Sequence, residues 1–226
     1  MDENTKTYIA CQAPLESTTE DFWRMIWEQR CGVIVMLTPL LERGVIKANC
    51  YWPEEENKVN RYGNLLVCHK KSFTVGDITV RSIFIKVRSN LLDHYLNNQD
   101  STSQDKKDMR EIVQLHYENW PDFGVPASTK PIRDLLVLMT KFRERAAAAT
   151  LDGPIVVHCS AGVGRTGCLI ASHIAIEKAK RREEFNIKKI VEQLRRERHP
   201  TMVKTEDQYI LVYAVVKDVL TKSSVL

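Results

Sequence analysis

The sequence predicts an α/β fold, because short apolar runs typical of buried strands alternate with segments of helical periodicity. The chain has 226 residues, of which 43% are hydrophobic, and it is long enough to bury a sizeable core. It contains neither an internal repeat nor a stretch with the composition of a linker. A single domain covering residues 1–226 is therefore the organisation we expect.

The first half of the chain supplies a helix and two strands. Two hydroxyl residues followed by two acidic residues predict a helix start at Thr18, and Gly32 predicts its end. Residues 33–37 are all apolar and predict a buried strand. Residues 78–87 alternate apolar and polar with one slip in phase, as a β-bulge would produce. The almost entirely polar residues 97–108 predict a solvent-exposed loop.

The second half alternates in the same way. Pro131 is typical of the first turn of a helix. Residues 155–157 predict a short buried strand, and residues 164–180 predict the helix that follows it. Two further helices are expected, one directly after Asn186 and one over residues 205–220.

Charge and hydropathy exclude several classes of protein. The net charge of +4 is too small to indicate a nucleic-acid partner. Basic clusters at residues 178–182 and 195–198 are interspersed with glutamates, which favours solvated helix faces over a surface for nucleic acid or acidic lipid. The longest apolar stretches, such as residues 210–216, are far shorter than a bilayer span, so direct membrane insertion is not predicted.

The six cysteines are widely spaced and form no metal-binding pattern. The first residues, MDENTKTY, do not resemble a secretory signal. We therefore expect reduced thiols, no metal and no cofactor. The expected location is the cytoplasm, either as a separate protein or as the intracellular part of a larger one.

Residues 155–167, IVVHCSAGVGRTG, are the segment of the sequence that indicates chemistry. A buried strand ends at His158, a loop with two glycines follows, and a helix begins. Cys159 lies at the start of this loop, and Arg165 lies six positions later in the first helical turn. A bare Cys-x5-Arg pattern would recur by chance at glycine turns, but the whole segment in its strand–loop–helix context is far more specific.

This arrangement predicts a site for a tetrahedral oxyanion. Backbone N–H groups of the loop can surround the anion, and the helix N-terminus adds unsatisfied donors. The planar guanidinium of Arg165 can bind two phosphate oxygens. The same field favours the thiolate form of Cys159, which is the nucleophilic form, and a cysteinyl phosphate would result. The residues expected to bind phosphate are Ser160, Ala161, Gly162, Val163, Gly164 and Arg165.

Residues 158–167 resemble the signature of the tyrosine-specific protein tyrosine phosphatases. Further segments resemble the motifs of that family in the same order, and they cover about residues 8–220. They are YIACQAP at 8–14, DFWRMIWEQ at 21–29, the VIVMLTPLLERG to YWP stretch at 33–53, WPDFGVP at 120–126 and MVKTEDQY at 202–209. The resemblance implies a twisted mixed central sheet flanked by helices, and hydrolysis of phosphotyrosine on proteins without a metal.

The resemblance also implies a role for each matching residue. Cys159 would attack phosphorus, and Arg165 would bind the phosphate and stabilise the transition state. Asp122 would protonate the departing tyrosine oxygen as general acid and then activate water as general base. Thr166 would help Cys159 to leave in the second step, and Gln208 would position the hydrolytic water.

Four matching residues would support this chemistry. His158 would favour the thiolate, Glu42 would orient the catalytic arginine, and Trp120 would be a hinge residue of the mobile acid loop. Lys47 matches a lysine of the same loop as Glu42, near the acid loop. A solvated charged turn is the alternative for both Glu42 and Lys47, and it stays plausible for Lys47.

The sequence departs from the family pattern at three positions. Lys204 replaces the first glutamine of the family's glutamine loop, and the segment between Arg198 and Lys204 is about one residue longer than usual. We therefore expect slower hydrolysis of the intermediate, whereas the first chemical step should be unaffected. Cys11 and Ala13 replace a threonine and a glycine.

The family's phosphotyrosine-recognition segment, with a KNRY motif, is expected before residue 1. Residues 59–62, VNRY, have similar letters but follow the YWP segment, and they predict the start of a strand instead. Three alternatives to a tyrosine phosphatase therefore stay open. They are a phosphotyrosine-binding module with slow turnover, a phosphatase of broader specificity that accepts phosphoserine or phosphoinositides, and an incomplete domain.

Overall fold

A computed structural model describes residues 8–88, 109–121 and 124–223. The predicted loop at 97–108 and the predicted general acid Asp122 lie outside these described residues. The strands are β1 Tyr8–Cys11, β2 Val33–Met36, β3 Leu41–Glu42, β4 Val45–Ile46, β5 Val59–Tyr62, β6 Leu65–Val75, β7 Ile78–Val87, β8 Met109–Tyr117 and β9 Ile155–His158. The helices are α1 Thr19–Glu28, α2 Lys130–Ala148, α3 Gly164–Lys180, α4 Ile187–Glu197 and α5 Glu206–Ser223.

Seven strands form one mixed sheet in the order β1-β9-β2-β8-β7-β6-β5. The strands β1, β9, β2 and β8 run parallel, and β8, β7, β6 and β5 run antiparallel. The hairpin of β3 and β4 is separate from this sheet. The predicted mixed sheet flanked by helices is confirmed. Because β9 and β2 are parallel neighbours, the segments that follow their carboxyl ends lie side by side.

Both faces of the central strands are buried, as is usual for parallel strands covered by helices. On β2, Val33 and Val35 pack in the larger core cluster with α2, α3, α4 and α5. Ile34 and Met36 pack in a second cluster on the opposite face, with α1. This two-sided burial explains why β2 reads as a continuous apolar run.

Burial of both sheet faces also explains the slip in phase along β7. Its pairing with β8 is continuous, and the register shift in this part of the sheet lies on the neighbouring strand, between His69 and Lys71. Ile78 and Val80 face the larger cluster, whereas Ile83 and Ile85 face the cluster around α1. The alternation is therefore unbroken, and only the covered face of the sheet changes.

The helix predictions agree closely with the structure. Helix α3 covers residues 164–180 as predicted, and α4 begins after Asn186, whose Oδ1 accepts a hydrogen bond from Lys189 N–H at 3.1 Å. Sequence analysis did not predict β1, β6, β8 or the β3–β4 hairpin. Strand β8 was missed because it carries Gln114 and His116, which are polar residues and yet almost fully buried.

Among the described residues, no helix is both long and apolar enough to cross a bilayer. The same part of the chain holds no group of His, Cys, Asp or Glu side chains arranged to bind a metal ion. All six cysteines have free thiols.

Candidate active site

The phosphate loop, residues 159–165, connects the end of β9 to the start of α3. Cys159 is only 5% exposed, and its Sγ accepts a hydrogen bond from Gly162 N–H at 3.3 Å. Ala13 N–H donates to Ser160 carbonyl at 2.9 Å, which fixes the loop against the segment after β1. The loop therefore directs a backbone donor at the Cys159 sulfur, next to the N-terminus of helix α3.

Two glycines in the loop allow close approach of neighbouring groups. Gly162 has φ +69°, and a Cβ there would lie 1.9 Å from Cys11 carbonyl oxygen. A Cβ at Gly164 would lie 2.9 Å from Gln208 Oε1. The first glycine is therefore required by both backbone conformation and space, and the second lets the Gln208 amide reach the loop.

We expect Gly162→Ala to impair oxyanion binding as well as stability. The left-handed conformation costs an alanine about 1–2 kcal/mol, and the clash with the Cys11 carbonyl must in addition displace the loop. Gly76→Ala is a matched control, since Gly76 also has positive φ, at +56°, but nothing lies within 4 Å of its added Cβ.

Tungstate affinity and the midpoint of urea unfolding would be measured on both variants. Gly76→Ala should lose stability only, whereas Gly162→Ala should lose more stability and bind tungstate about tenfold more weakly or worse. Wild-type tungstate affinity in Gly162→Ala would contradict the assigned role of the loop.

Arg165 is held along one edge of its guanidinium. Its Nη1 donates to Leu37 carbonyl at 3.2 Å and to Thr38 Oγ1 at 3.1 Å. Its Nη2 lies 3.5 Å from Glu42 Oε2 on β3. The residues that follow β2 and the β3–β4 hairpin therefore contact the guanidinium of Arg165. Lys47 lies just after this hairpin, and its N–H donates to Leu40 carbonyl at 2.8 Å.

The geometry agrees with the comparison to known proteins, where the Protein-tyrosine phosphatase family model matches residues 1–218. The chain belongs to the protein-tyrosine phosphatase family. Tyrosine-protein phosphatase 3 of Dictyostelium discoideum is 42% identical over 95% of this chain, and the match covers 20% of that protein. Receptor-type tyrosine-protein phosphatase zeta of Homo sapiens is 37% identical over 97% of this chain and 9% of its own length.

A shorter relative is covered more completely. Tyrosine-protein phosphatase 2 of Dictyostelium discoideum is 38% identical over 96% of this chain, and the match covers 53% of that protein. The chain thus spans about half of this relative and a fifth or less of the two others. The family assignment does not depend on these shares, because the family model matches residues 1–218 of this chain.

Two buried residues are sequence neighbours of Cys159 and Arg165: His158 precedes Cys159, and Thr166 follows Arg165. Thr166 is fully buried, and its Oγ1 has no hydrogen-bond partner among the described residues. Such a hydroxyl is available for Cys159 or for a bound ligand. His158 donates from Nδ1 to Cys159 carbonyl at 3.0 Å, and its Nε2 lies 2.8 Å from Tyr51 Oη. Burial lowers the pKa of His158 to about 4, so the imidazole is neutral at physiological pH.

The glutamine loop, residues 202–208, lies against the start of α3. Gln208 is 6% exposed, and its Oε1 accepts a hydrogen bond from Lys204 N–H at 2.8 Å. Because Lys204 N–H occupies Oε1, the NH2 group of the Gln208 amide is left to donate to a ligand or to water. The side chain of Lys204 borders an open groove of about 340 Å³ between α4 and α5, which Lys188 and Tyr209 also line.

The acid loop, residues 120–126, is described on both sides of Asp122 but not at Asp122 itself. Trp120 is 1% exposed, and its indole N–H donates to Gly124 carbonyl at 3.1 Å. This bond ties together the two ends of the segment that carries Asp122. It is consistent with the hinge role predicted for Trp120.

The structure thus brings Cys159, Arg165, Glu42, His158 and Gln208 together around the start of α3. Sequence analysis missed the residues that hold them: Leu37, Thr38, Tyr51, Arg81, Gln114 and His116. The signal available in the sequence was the alternation of Gln114 and His116 with apolar residues in the second half of β8.

Proposed function

We propose that this chain hydrolyses phosphotyrosine on proteins through a cysteinyl-phosphate intermediate. The observation that carries the proposal is the hydrogen bond from Gly162 N–H to Cys159 Sγ, within a loop whose last residue is the fixed Arg165. Nucleophile, backbone donors and guanidinium then converge on one tetrahedral anion.

In the first step, Cys159 Sγ attacks phosphorus in line with the departing tyrosine oxygen. Loop N–H groups and Arg165 bind the non-bridging oxygens, whose charge develops in the transition state. Asp122 donates a proton to the tyrosine oxygen as the P–O bond breaks. The S–P bond forms at the same time, so the intermediate is a phosphocysteine and the first product is the tyrosine side chain.

In the second step, water attacks the cysteinyl phosphate and Asp122 accepts its proton. The amide NH2 of Gln208 donates toward this water or the phosphate, because Gln208 Oε1 is already engaged by Lys204 N–H. The hydroxyl of Thr166 donates to Cys159 Sγ as the S–P bond breaks. Inorganic phosphate is the second product.

A direct comparison of substrates tests the proposed function. We expect wild-type protein to release phosphate from a phosphotyrosyl peptide at least about 100-fold faster, in kcat/KM, than from the matched phosphothreonyl peptide or a phosphoinositide. Comparable rates on all three substrates would favour the phosphatase of broader specificity. Binding of the phosphotyrosyl peptide without turnover would favour the binding module.

The presence of Lys204 at the position of a family glutamine favours slow turnover, and the Lys204→Gln variant tests this expectation. In a pre-steady-state assay with a chromogenic aryl phosphate, wild-type protein should show a burst of phenol release followed by a slower steady rate. Lys204→Gln should raise the steady rate about fivefold, the size of effect expected from one added hydrogen bond. Lys188→Gln removes a cation from the same groove outside the glutamine loop and should keep the wild-type time course.

The remaining expectations are proposals of the same kind. We propose one domain over residues 1–226 and a cytoplasmic setting, free or attached to a larger protein. Phosphotyrosine-containing proteins are the proposed partners. Relatives include receptor-type phosphatases, which is consistent with either setting.

A further inference from the structure

Arg81 has no part in the mechanism described above, but chains of hydrogen bonds connect it to both Cys159 and Arg165. It lies on β7 directly opposite Gln114 of β8, and its neighbour in the alternation, Thr79, lies opposite His116. Arg81 Nη1 donates to Gln114 Oε1 at 3.0 Å and to His116 Nδ1 at 3.0 Å. Its guanidinium also stacks on the buried ring of Trp52, with Cζ 4.7 Å from the ring centroid. A cation in this position is well fixed.

The first chain of hydrogen bonds, the amide arm, runs from Arg81 through Gln114, Tyr51 and His158 to Cys159. Since Gln114 Oε1 accepts from Arg81, the Gln114 NH2 group faces Tyr51 Oη and donates to it at 2.8 Å. The tyrosine hydrogen is then directed to His158 Nε2 at 2.8 Å. His158 therefore carries its hydrogen on Nδ1 and donates to Cys159 carbonyl at 3.0 Å.

The second chain, the imidazole arm, runs from Arg81 through His116 and Thr38 to Arg165. His116 Nε2 is 2.8 Å from Thr38 carbonyl, so this nitrogen must be the donor. The lone pair on Nδ1 then accepts from Arg81. Burial lowers the pKa of His116 to about 4, which keeps the ring neutral. Thr38 in turn accepts a hydrogen bond from Arg165 Nη1 at its Oγ1.

We propose that Arg81 is a positioning residue of the active site, because its single Nη1 group holds the Gln114 amide of one arm and the His116 ring of the other. The inference rests on the proposed function in so far as Cys159 and Arg165 carry the reaction. An arginine has only donors and does not lose its proton, so it can hold the oxygen of the Gln114 amide and the Nδ1 lone pair of His116 at once.

Loss of Arg81 would release both arms. The Gln114 amide could rotate and accept from Tyr51, which would leave His158 Nε2 without a donor. His116 would lose the donor at its Nδ1, so its ring could turn away from the orientation in which Nε2 donates to Thr38 carbonyl. The other charged or titratable groups around Arg81 are Glu118, Tyr51 and Cys50, and none of them offers a second fixed donor at this position.

Arg81→Met keeps most of the side-chain length and removes the donors. Two readouts need no turnover: the pH dependence of alkylation of Cys159 by iodoacetate, followed by mass spectrometry, and the affinity for tungstate. We expect the alkylation midpoint to move up by about half a pH unit or more, and tungstate affinity to fall about tenfold. Tyr51→Phe should change mainly the alkylation profile, and Thr38→Val mainly tungstate affinity.

Arg110→Met is the matched control. Arg110 also stacks on a tryptophan, with Cζ 3.5 Å from the Trp27 ring centroid, and donates to Trp27 carbonyl, but it lies at the other end of β8. This variant should lose stability without a change in either readout. If folded Arg81→Met behaves as Arg110→Met does, Arg81 has only a structural role and the inference is wrong.

If Arg81→Met does not fold, Arg81→Lys tests whether Arg81 positions Cys159 and Arg165. A lysine ammonium can donate to Gln114 and His116 but lacks the planar guanidinium that stacks on Trp52, so it is held less firmly and both readouts should shift in the same directions by a smaller amount. Wild-type values in Arg81→Lys would overturn the inference. Aryl phosphate turnover by wild-type protein is measured alongside. Its absence would count against the proposed function, whereas the alkylation and tungstate results would still test Arg81.

Discussion

Replacing Cys159 by serine is expected to abolish turnover of an aryl phosphate, by about 10⁴-fold or more in kcat. A serine hydroxyl does not ionise at neutral pH, and the Gly162 N–H that faces Cys159 Sγ cannot compensate for the loss of a thiolate. The change in volume is small, so the loop and Arg165 should remain in place. Steady-state kinetics and tungstate affinity would be measured on the same preparation.

Cys68→Ser is the control for this experiment. Cys68 is a partly exposed cysteine on β6, far along the sheet from β9, and its replacement should leave kcat within about twofold of wild type. Tungstate binding in Cys159→Ser should be close to wild type. Turnover above about 1% of wild type in Cys159→Ser would contradict nucleophilic catalysis by this residue.

Arg165→Lys is expected to lower kcat about 10³-fold although it conserves the charge. The planar guanidinium is oriented by Leu37 carbonyl, Thr38 Oγ1 and Glu42, and a single ammonium cannot satisfy these groups and two phosphate oxygens together. Tungstate affinity should fall by a smaller factor, because charge attraction persists in the ground state while the transition state loses its bidentate contact.

Arg133→Lys provides the comparison for Arg165→Lys. Arg133 Nη1 lies 2.9 Å from Asp218 Oδ2, between α2 and α5, and does not contact the phosphate loop. This substitution should leave both kcat and tungstate affinity unchanged. If Arg165→Lys lowers kcat and tungstate affinity by equal factors, Arg165 binds phosphate in the ground state without the proposed preference for the transition state.

The local sequence was sufficient to predict the strand, loop and helix around Cys159. The apolar run before His158, the two loop glycines and the start of α3 all lie within about a dozen consecutive residues. Their conformation depends on backbone preferences and on the helix N-terminus, which are properties of that segment itself. The same holds for the start of α4, where Asn186 caps the helix.

The residues that hold this segment depend on the register of the whole sheet. Arg81 meets Gln114 only because β7 and β8 pair in one particular register, and a shift of either strand by one residue would place the two side chains on opposite faces of the sheet. A buried glutamine or histidine also looks like a surface residue in a sequence, since its partners come from distant strands. Sequence therefore determined the family and the phosphate loop. Tertiary structure decided which groups orient Cys159 and Arg165, because hydrogen bonds between strands form only after the sheet has assembled.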